Sequence, residues 1–493
     1  VAGVARTASV STLHLTLDET AEPLRRRIAG AIVAALRSGA LGPGDLLPPS
    51  RALAADLGVS RAAVVDAYDE LSAAGFVDTR TGSGTRVAPG AVAAARAGVT
   101  PHVTAPAATT PTTDPGHAES DFDLSPGYPD TGLVAARDWR SAWRAAASAP
   151  IPGFVPGPHT HRRLRQALAE HLRRTRGVAA EPEEILVVPG VAAGLRVMAA
   201  AADLDGRQVA FEDPGYTKAR LALLQSGARI RPVAVGVDGL DPAALHLDDV
   251  AVYCTPAHQF PLGSRMSVAR RADLVASAAS TGRWIIEDDY DGEFRYGVAS
   301  LPALRAIDGG RDRVAYLGTA SKVITPSLRL AWLIPPAPLL PRAHDALTAT
   351  GESVCAITAD AFARFVESGS LTRHLARASR TYSARREAFI DALAARLPDV
   401  TPLGVEAGLH VALPLPDQCD DAAVADAIRE RGFTVRPLAA YRATDSGPRG
   451  LLCGYARLPE SRADEAAQVI ADVVSGSIEA AAGSAGNCTT SGS

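Results

Sequence analysis

Apolar side chains recur along this chain at two different periods, and the change of period divides it. From Pro23 to Arg37, Leu24, Ile28, Ile32 and Leu36 fall three to four residues apart, the spacing of one helical face, and Ser38-Gly39 ends the run. The turn-rich Leu41-Gly-Pro-Gly-Asp45 follows, then Leu47-Pro-Pro-Ser-Arg51, where Ser50 is placed to cap a short helix Arg51–Leu57. Gly58-Val59 makes a tight turn, and Ser60 caps a second helix from Arg61 to about Ala74. Phe76 to Val87 predicts two short strands joined at Gly82-Ser83-Gly84. Helix, turn, capped helix and hairpin over residues 20–88 predict a winged helix-turn-helix.

From 89 to 120 the pattern dissolves into Ala, Pro, Thr and Gly, which predicts a flexible linker. From 121 to 474 short apolar runs alternate with Ala/Leu/Arg helices, the signature of an α/β unit with a mainly parallel sheet. Residues 475–493 are rich in Gly, Ala, Ser and Thr and read as a disordered tail.

Composition narrows the class. The formal net charge of −4 gives no global pull toward nucleic acid or membrane, so any DNA-binding claim must rest on local features. The five cysteines are scattered without a Cys-x-x-Cys pair, which fits a reduced, cytoplasmic protein with no metal site. No signal peptide and no membrane-spanning stretch is expected.

Two stretches of the chain carry chemistry. In the head, Arg51, Ser60 and Arg61 fall at helix starts, where side chains and free amides can meet phosphates or base edges, and Arg80 and Arg86 flank the hairpin tip. In the α/β unit, lysine itself is the signal. Lysine and arginine together number 50, yet only Lys218 and Lys322 are lysines. A primary amine can condense with an aldehyde near neutral pH and a guanidinium cannot. Lys322 closes Ala315-Tyr-Leu-Gly-Thr-Ala-Ser-Lys322, as expected for an amine at the end of a buried strand. Upstream, Pro189-Gly-Val-Ala-Ala-Gly-Leu195 turns from strand to helix, and Gly190, Val191 and Ala192 form a cup for a phosphate dianion. Tyr216 in Glu212-Asp-Pro-Gly-Tyr216 is placed to stack on an aromatic ring. Arg283-Trp-Ile-Ile-Glu-Asp-Asp-Tyr-Asp-Gly-Glu-Phe294 puts acids directly after an apolar strand. Asp288 there is the expected partner of a pyridine nitrogen and Tyr290 of a ring oxygen. Thr319, Ser321 and Arg329 are the expected phosphate companions. A metal-binding acid cluster is the alternative, set aside because no histidine nearby completes a ligand set.

The head resembles the GntR family of bacterial regulators in Leu47-Pro-Pro-Ser-Arg-Ala-Leu-Ala-Ala-Asp-Leu-Gly-Val-Ser-Arg61 and Gly82-Ser-Gly-Thr85. The larger unit resembles fold-type I aminotransferases. The combination resembles the MocR/GabR subfamily in Ser125-Pro-Gly-Tyr-Pro-Asp130, Thr255-Pro-Ala-His-Gln-Phe-Pro-Leu-Gly263, Glu287-Asp-Asp-Tyr-Asp291, Gly318-Thr-Ala-Ser-Lys322 and Gly454-Tyr-Ala456. The resemblance implies pyridoxal 5'-phosphate held as a Schiff base at Lys322, a smaller α+β subdomain beside the main sheet, double-stranded operator DNA as partner, and a homodimer. Two departures stand out. The Asn-Pro-Thr-Gly turn of catalytic aminotransferases is Phe260-Pro-Leu-Gly263 here, leaving Gln259 or His258 as substitutes, and the carboxylate-clamping arginine falls on Leu452, with Arg449 and Arg442 as nearby candidates for an effector. The expected function is a cofactor-dependent regulator sensing the cofactor, an amino compound or both. The alternatives are a working aminotransferase with a DNA-binding head, and a body that no longer holds cofactor.

Overall fold

The helical period at the start of the chain is realised as expected in the computed structural model, which describes residues 6–10, 13–17, 23–73, 76–80, 84–96, 122–298 and 301–486. The chain divides into two units, Val1–Pro115 and Gly116–Ser493. The first holds the hairpin β1 (Arg6–Val10) and β2 (Leu13–Leu17), helices α1 (Leu24–Ser38), α2 (Ser50–Leu57) and α3 (Arg61–Ala73), the hairpin β3 (Val77–Arg80) and β4 (Gly84–Val87), and helix α4 (Ala91–Arg96). Ile28, Ile32 and Leu36 on α1 share one core with Leu53, Leu57, Val64 and Leu71, so the spacing seen in sequence is the buried stripe. Gly39, left-handed at φ 82, closes α1. Ser60 accepts from the Ala63 amide at 3.3 Å, capping α3 as expected. Ser50 does not cap: it is the first residue of α2, behind Pro49.

Two elements depart from the sequence reading. The hairpin β1–β2 was not foreseen, and it adds the buried Leu15 and Leu17 to the head core. The expected linker from residue 89 begins with α4, whose Ala91 and Ala95 are buried and whose Ala95 carbonyl accepts from Arg37 Nε at 3.2 Å. Alanine favours helix, and its small side chain let α4 dock where composition alone suggested a coil. The rest of that linker, from 97, and the hairpin tip 81–83 lie outside the described residues.

The second unit opens with β5 (Phe122–Asp123), helix α5 (Ala136–Ala147) and helix α6 (Arg162–Arg176). Its main sheet contains β6 (Leu186–Val188), β7 (Gln208–Asp213), β8 (Arg229–Gly236), β9 (Gly239–Leu240), β10 (Asp249–Cys254), β11 (Trp284–Asp289), β12 (Val314–Thr319) and β13 (Ala331–Ile334), in the order β6-β13-β12-β11-β10-β7-β8-β9. Strands β12, β11, β10, β7 and β8 pair in parallel, whereas β13 runs antiparallel to both neighbours and β9 antiparallel to β8. Both sheet faces are covered. Helix α7 (Val191–Ala201) and the helix Leu340–Thr350 pack on one, and the helix Val268–Thr281 on the other. All of β12 is therefore buried, as two covered faces require. The smaller subdomain is a three-stranded sheet of β14 (His410–Leu415), β16 (Arg436–Pro437) and β17 (Arg449–Gly454), with β15 (Phe433–Thr434) paired instead to β5. The tail expected to be disordered from Ser475 continues the helix Ala463–Gly486, where Ile478 packs on the core; residues 487–493 lie outside the described residues.

Removing the α3 cap by Ser60→Ala should destabilise the head by about 1 kcal/mol, read as a lowered unfolding transition of the head in calorimetry of the full chain.

Candidate functional site

The expected cofactor residues gather at the carboxyl ends of β6, β7, β11 and β12, the edge where open parallel sheets bind ligands. The pleat of β11 separates its acids. Successive side chains point to opposite faces, so Glu287 and Asp289 share one face and Asp288 takes the other. Glu287 accepts from the Leu304 and Arg305 amides at 2.8 and 3.2 Å. Asp289 binds Arg176 with both oxygens and accepts from the Tyr316 hydroxyl at 2.7 Å. Asp288 accepts from the Tyr253 hydroxyl at 2.6 Å through Oδ2, and its buried Oδ1 has no hydrogen-bond partner. Burial is the main force raising the Asp288 carboxyl to about 7, helped by Asp289 and opposed by Tyr253 and Lys322. A buried acceptor without a donor costs about 1–3 kcal/mol. Such an oxygen fits a ligand that brings an N–H, as a protonated pyridine does.

Lys322 follows β12 in a turn. Burial pulls its amine down to about 8, with Lys218 adding to the effect and Asp291 and Asp288 opposing it. Lys218 itself is exposed at the start of the helix Thr217–Gln225. Gly127, at φ +78, faces the amine so closely that a Cβ would lie 2.6 Å from Nζ. Tyr216 stands half-buried at the carboxyl end of β7, edge-on to Phe260 with ring centres 5.7 Å apart. The turn after β6 also fits its expected role. Gly190, at φ 104, precedes α7, and neither it nor the helix start has a side-chain cap. The first amides of a helix, here at Val191 and Ala192, have no intrahelical acceptor. Arg329 reaches this turn, donating to the Pro189 carbonyl at 3.0 Å, and a Cβ on Gly190 would come within 3.1 Å of its guanidinium. Thr319 donates to Ser321 Oγ at 3.0 Å. An amine, an unpartnered carboxylate oxygen and a helix-start turn with free amides together fit pyridoxal phosphate.

Sequence reasoning missed several neighbours. The expectation that no histidine lies near the acids fails: His258 Nδ1 is 2.9 Å from Asp291 Oδ2 and 3.1 Å from the Tyr290 hydroxyl. Ligand atoms of His258, Asp291 and His410 lie within 4.8 Å of one another, all buried. The 2.9 Å contact is that of a pair sharing a proton. Gln259, expected as an effector contact, has its amide taken up by the chain: Nε2 donates to Glu212 and to the Pro214 and Phe260 carbonyls, and Oε1 accepts from Leu262. Glu212, raised to about 7 mainly by burial, also accepts from the Thr255 amide and hydroxyl.

The effector arginines are redistributed as well. Arg449 opens β17 opposite Leu415, and Gly454, the far end of that strand, donates to Leu124 beside the site. Five residues of extended strand, roughly 17 Å, separate the two ends. Arg442 follows Tyr441, whose ring packs on Phe260 at 5.0 Å, and donates to the Gly447 carbonyl at 3.2 Å. Arg436, not expected, pairs with Leu452 across β16 and β17 and donates to Ser125 Oγ at 3.2 Å, two residues from Gly127. A guanidinium therefore reaches the mouth from the strand beside that of Leu452, a placement set by spatial pairing and not by sequence spacing.

In the head, Arg51, Ser60 and Arg61 are exposed at the starts of α2 and α3, where Arg61 Nε donates to Ser50 Oγ at 3.4 Å. Arg86 is exposed and donates to the Gly44 carbonyl at 3.0 Å. The Arg80 side chain lies outside the described residues.

Comparison with known proteins bears out a gntR-type first unit and an aminotransferase-type second unit. Residues 24–87 match the family of bacterial regulatory proteins described as the gntR family, and residues 122–470 match aminotransferase class I and II. The chain belongs to the MocR/GabR-type regulators, in which a gntR-type helix-turn-helix domain is fused to a class I and II aminotransferase domain. It is similar to the HTH-type pyridoxine biosynthesis transcriptional regulator PdxR of Corynebacterium glutamicum, 36% identical over 92% of this chain and 95% of that one. It is also similar to the probable rhizopine catabolism regulatory protein MocR of Rhizobium meliloti, 31% identical over 90% of this chain and 92% of that one. Among solved structures, an archaeal alanine:glyoxylate aminotransferase shares the fold, with a TM-score of 0.68 and 24% identity over 72% of this chain and 91% of that one. No helix among the described residues is long and apolar enough to cross a membrane.

The Asp288 shift has a consequence for stability. Its carboxyl lies above the ordinary 3.8 in the folded protein, so the folded state holds a proton that the unfolded state has released, and stability falls as pH rises toward about 7. Cofactor-free protein should therefore lose stability relative to Asp288→Asn between pH 4 and 8, by on the order of a few kcal/mol, measured by denaturant unfolding at both pH values. Gly127→Ala should crowd the amine, so that reductive labelling of Lys322 with pyridoxal phosphate and borohydride slows several-fold in protein that remains folded.

Proposed function

We propose that this protein is a transcriptional regulator whose head binds double-stranded operator DNA and whose body holds pyridoxal 5'-phosphate at Lys322. The cofactor, alone or with an amino-compound effector, sets operator affinity. One observation carries this reading: a buried lysine amine lies in the field of a buried carboxylate, Asp288, that keeps one oxygen unpartnered at the ligand edge of an aminotransferase fold. The bound cofactor supplies an electron-withdrawing ring and a carbon that amines can attack. The chain supplies the rest. Lys322, with its amine lowered to about 8, offers a far larger neutral fraction near neutral pH than an ordinary lysine. Asp288 would hold a proton on the ring nitrogen, Tyr290 would meet the ring oxygen, and Tyr216 would cover the ring. The Gly190, Val191 and Ala192 turn, with Thr319, Ser321 and Arg329, holds the phosphate.

Arg436 and Arg442 at the mouth are the groups suited to an effector carboxylate, while Arg449 and Gln259 have no part in this reading. Similarity to a regulator named for pyridoxine biosynthesis supports the cofactor itself as one signal. In this reading the protein works in the cytoplasm as a homodimer whose two heads read two half-sites through Arg51, Ser60, Arg61, Arg80 and Arg86. A ligand that favours one arrangement of the heads over another then shifts DNA affinity by its differential binding to the two.

Borohydride reduction of the cofactor-loaded protein followed by peptide mapping should label Lys322 and leave Lys322→Ala unlabelled; label elsewhere removes the cofactor reading. Arg61→Ala should weaken operator binding about tenfold, the loss of one base-edge or phosphate contact worth about 1–3 kcal/mol. A footprint on the upstream DNA of the protein's own gene should change on adding pyridoxal phosphate or an amino compound. Identical protection with and without both would remove the sensing reading.

A further inference from the structure

Asp288 and Asp289 each meet a phenol, on opposite faces of the sheet, and the two meetings share one geometry. Tyr253 on β10 is level with Ile286 on β11, and Asp288 lies two residues further along the same face. Tyr316 on β12 is level with Glu287, and Asp289 lies two residues further along the other face. Each hydroxyl reaches diagonally to its acid, Tyr253 to Asp288 Oδ2 at 2.6 Å and Tyr316 to Asp289 Oδ2 at 2.7 Å. The consequences differ. Asp289 also holds the Arg176 guanidinium, so its phenol is one donor among several. Asp288 has neither a guanidinium nor a backbone amide, and the Tyr253 hydroxyl is its one hydrogen-bond partner among the described residues.

The Tyr253 side chain is fixed in place for this contact. It is fully buried, and its ring is stacked on that of Phe211, its neighbour from β7, with centres 4.4 Å apart and planes within 2°. Both rings belong, with Ile286, to the core that α7 covers. Among the described residues the hydroxyl has no other hydrogen-bond partner, and toward an ionised carboxylate a phenol can only donate. The other titratable groups around Asp288 are Asp289 and Asp291 on its own segment, Glu212 and Tyr216 from the end of β7, Tyr290, and Lys322 after β12. Acids outnumber the amine in this set, so the single donor that touches Asp288 weighs heavily on its charge.

We propose that Tyr253 is a positioning residue for Asp288: its hydroxyl anchors Oδ2, which leaves Oδ1 as the oxygen offered to the ligand, and it favours the ionised carboxylate that a protonated ring nitrogen pairs with. This rests on the proposed cofactor. Tyr253 is wholly covered and acts only through the acid.

Tyr253→Phe keeps the ring and leaves both Asp288 oxygens bare. The readout is the preference of the full-length protein for pyridoxal phosphate over its deaza analogue, whose ring carries C–H in place of the nitrogen. It is measured as a ratio of dissociation constants in wild type, Tyr253→Phe, Asp288→Asn and the double variant. Wild type should prefer the natural ring, and Tyr253→Phe should cut that preference about tenfold, the equivalent of one unit in proton affinity. The double variant should match Asp288→Asn alone. A preference that Tyr253→Phe leaves intact, or an equal loss of affinity for both ligands, overturns the positioning role and leaves cofactor binding standing. A wild type that binds neither ligand overturns the cofactor reading, and unfolding of cofactor-free protein then still tests the link between the two residues. Folded Asp288 holds its proton at about pH 5 and is ionised at about pH 9, and the phenol favours the ionised form. Tyr253→Phe should therefore lower the folded-to-unfolded ratio about tenfold more at the higher pH, and this difference should vanish in Asp288→Asn. An equal loss at both pH values overturns the link. Phe211→Leu, which unseats the ring and keeps the hydroxyl, supplies the same measurements if Tyr253→Phe does not fold.

Discussion

Ionisable groups withdrawn from water at the edge of a sheet must either pair with opposite charge or hold their protons, and the arrangement of this site follows from how that demand is met residue by residue. Asp289 has the buried guanidinium of Arg176 and keeps both oxygens engaged. Glu287 and Glu212 lack such a partner and burial raises both to about 7; backbone amides engage both Glu287 oxygens, whereas only one Glu212 oxygen is engaged. Asp288 has one oxygen bonded to Tyr253 and one to nothing, and Glu212 Oε1 and Asp291 Oδ1 are likewise buried without a partner. The same dryness lowers the lysine and raises the carboxylates toward a common range. Each can therefore change protonation under mild conditions in response to what occupies the crevice.

The body's architecture serves this edge. Parallel strands direct their carboxyl ends to one side, and the expected cofactor residues from Gly190 to Lys322 lie on the last residues of these strands or just beyond them. The smaller subdomain closes the opposite side: β16 brings Arg436, β14 brings His410, and the segment entering from β5 brings Gly127 against the amine. Three glycines do structural work here that no side chain could share. Gly127 clears the amine, Gly190 admits Arg329, and Gly408 admits the His258 ring.

Elements with a strong period were legible in the sequence. The α1 stripe, the cap at Ser60, the apolar run of β11 and the turn into α7 were all within reach of local pattern, because local pattern is what determines them. Elements set by composition without period were misread. The alanines of α4 and of the last helix resemble coil in composition, since alanine signals helix by propensity alone and gives no amphipathic stripe. The deeper misses were non-local. Glu287, Asp288 and Asp289 looked like one cluster until the pleat sent them to opposite faces. His258, Asp291 and His410 come from separate strand ends, so no spacing in the sequence announces them. Arg436 is not legible from the strand of Leu452, because it lies on the strand hydrogen-bonded beside it.

The exchange of lysine for arginine almost everywhere has a consequence beyond the crevice. Free aldehydes condense indiscriminately with accessible primary amines, and a typical protein surface offers many of them as decoys. Among the side chains of this protein the competition is confined to Lys218, exposed at the rim, and Lys322, withdrawn behind it. A surface of guanidinium groups keeps its positive charge and solubility yet stays inert to carbonyl compounds. An aldehyde entering the crevice therefore meets little competition from the protein's other side chains.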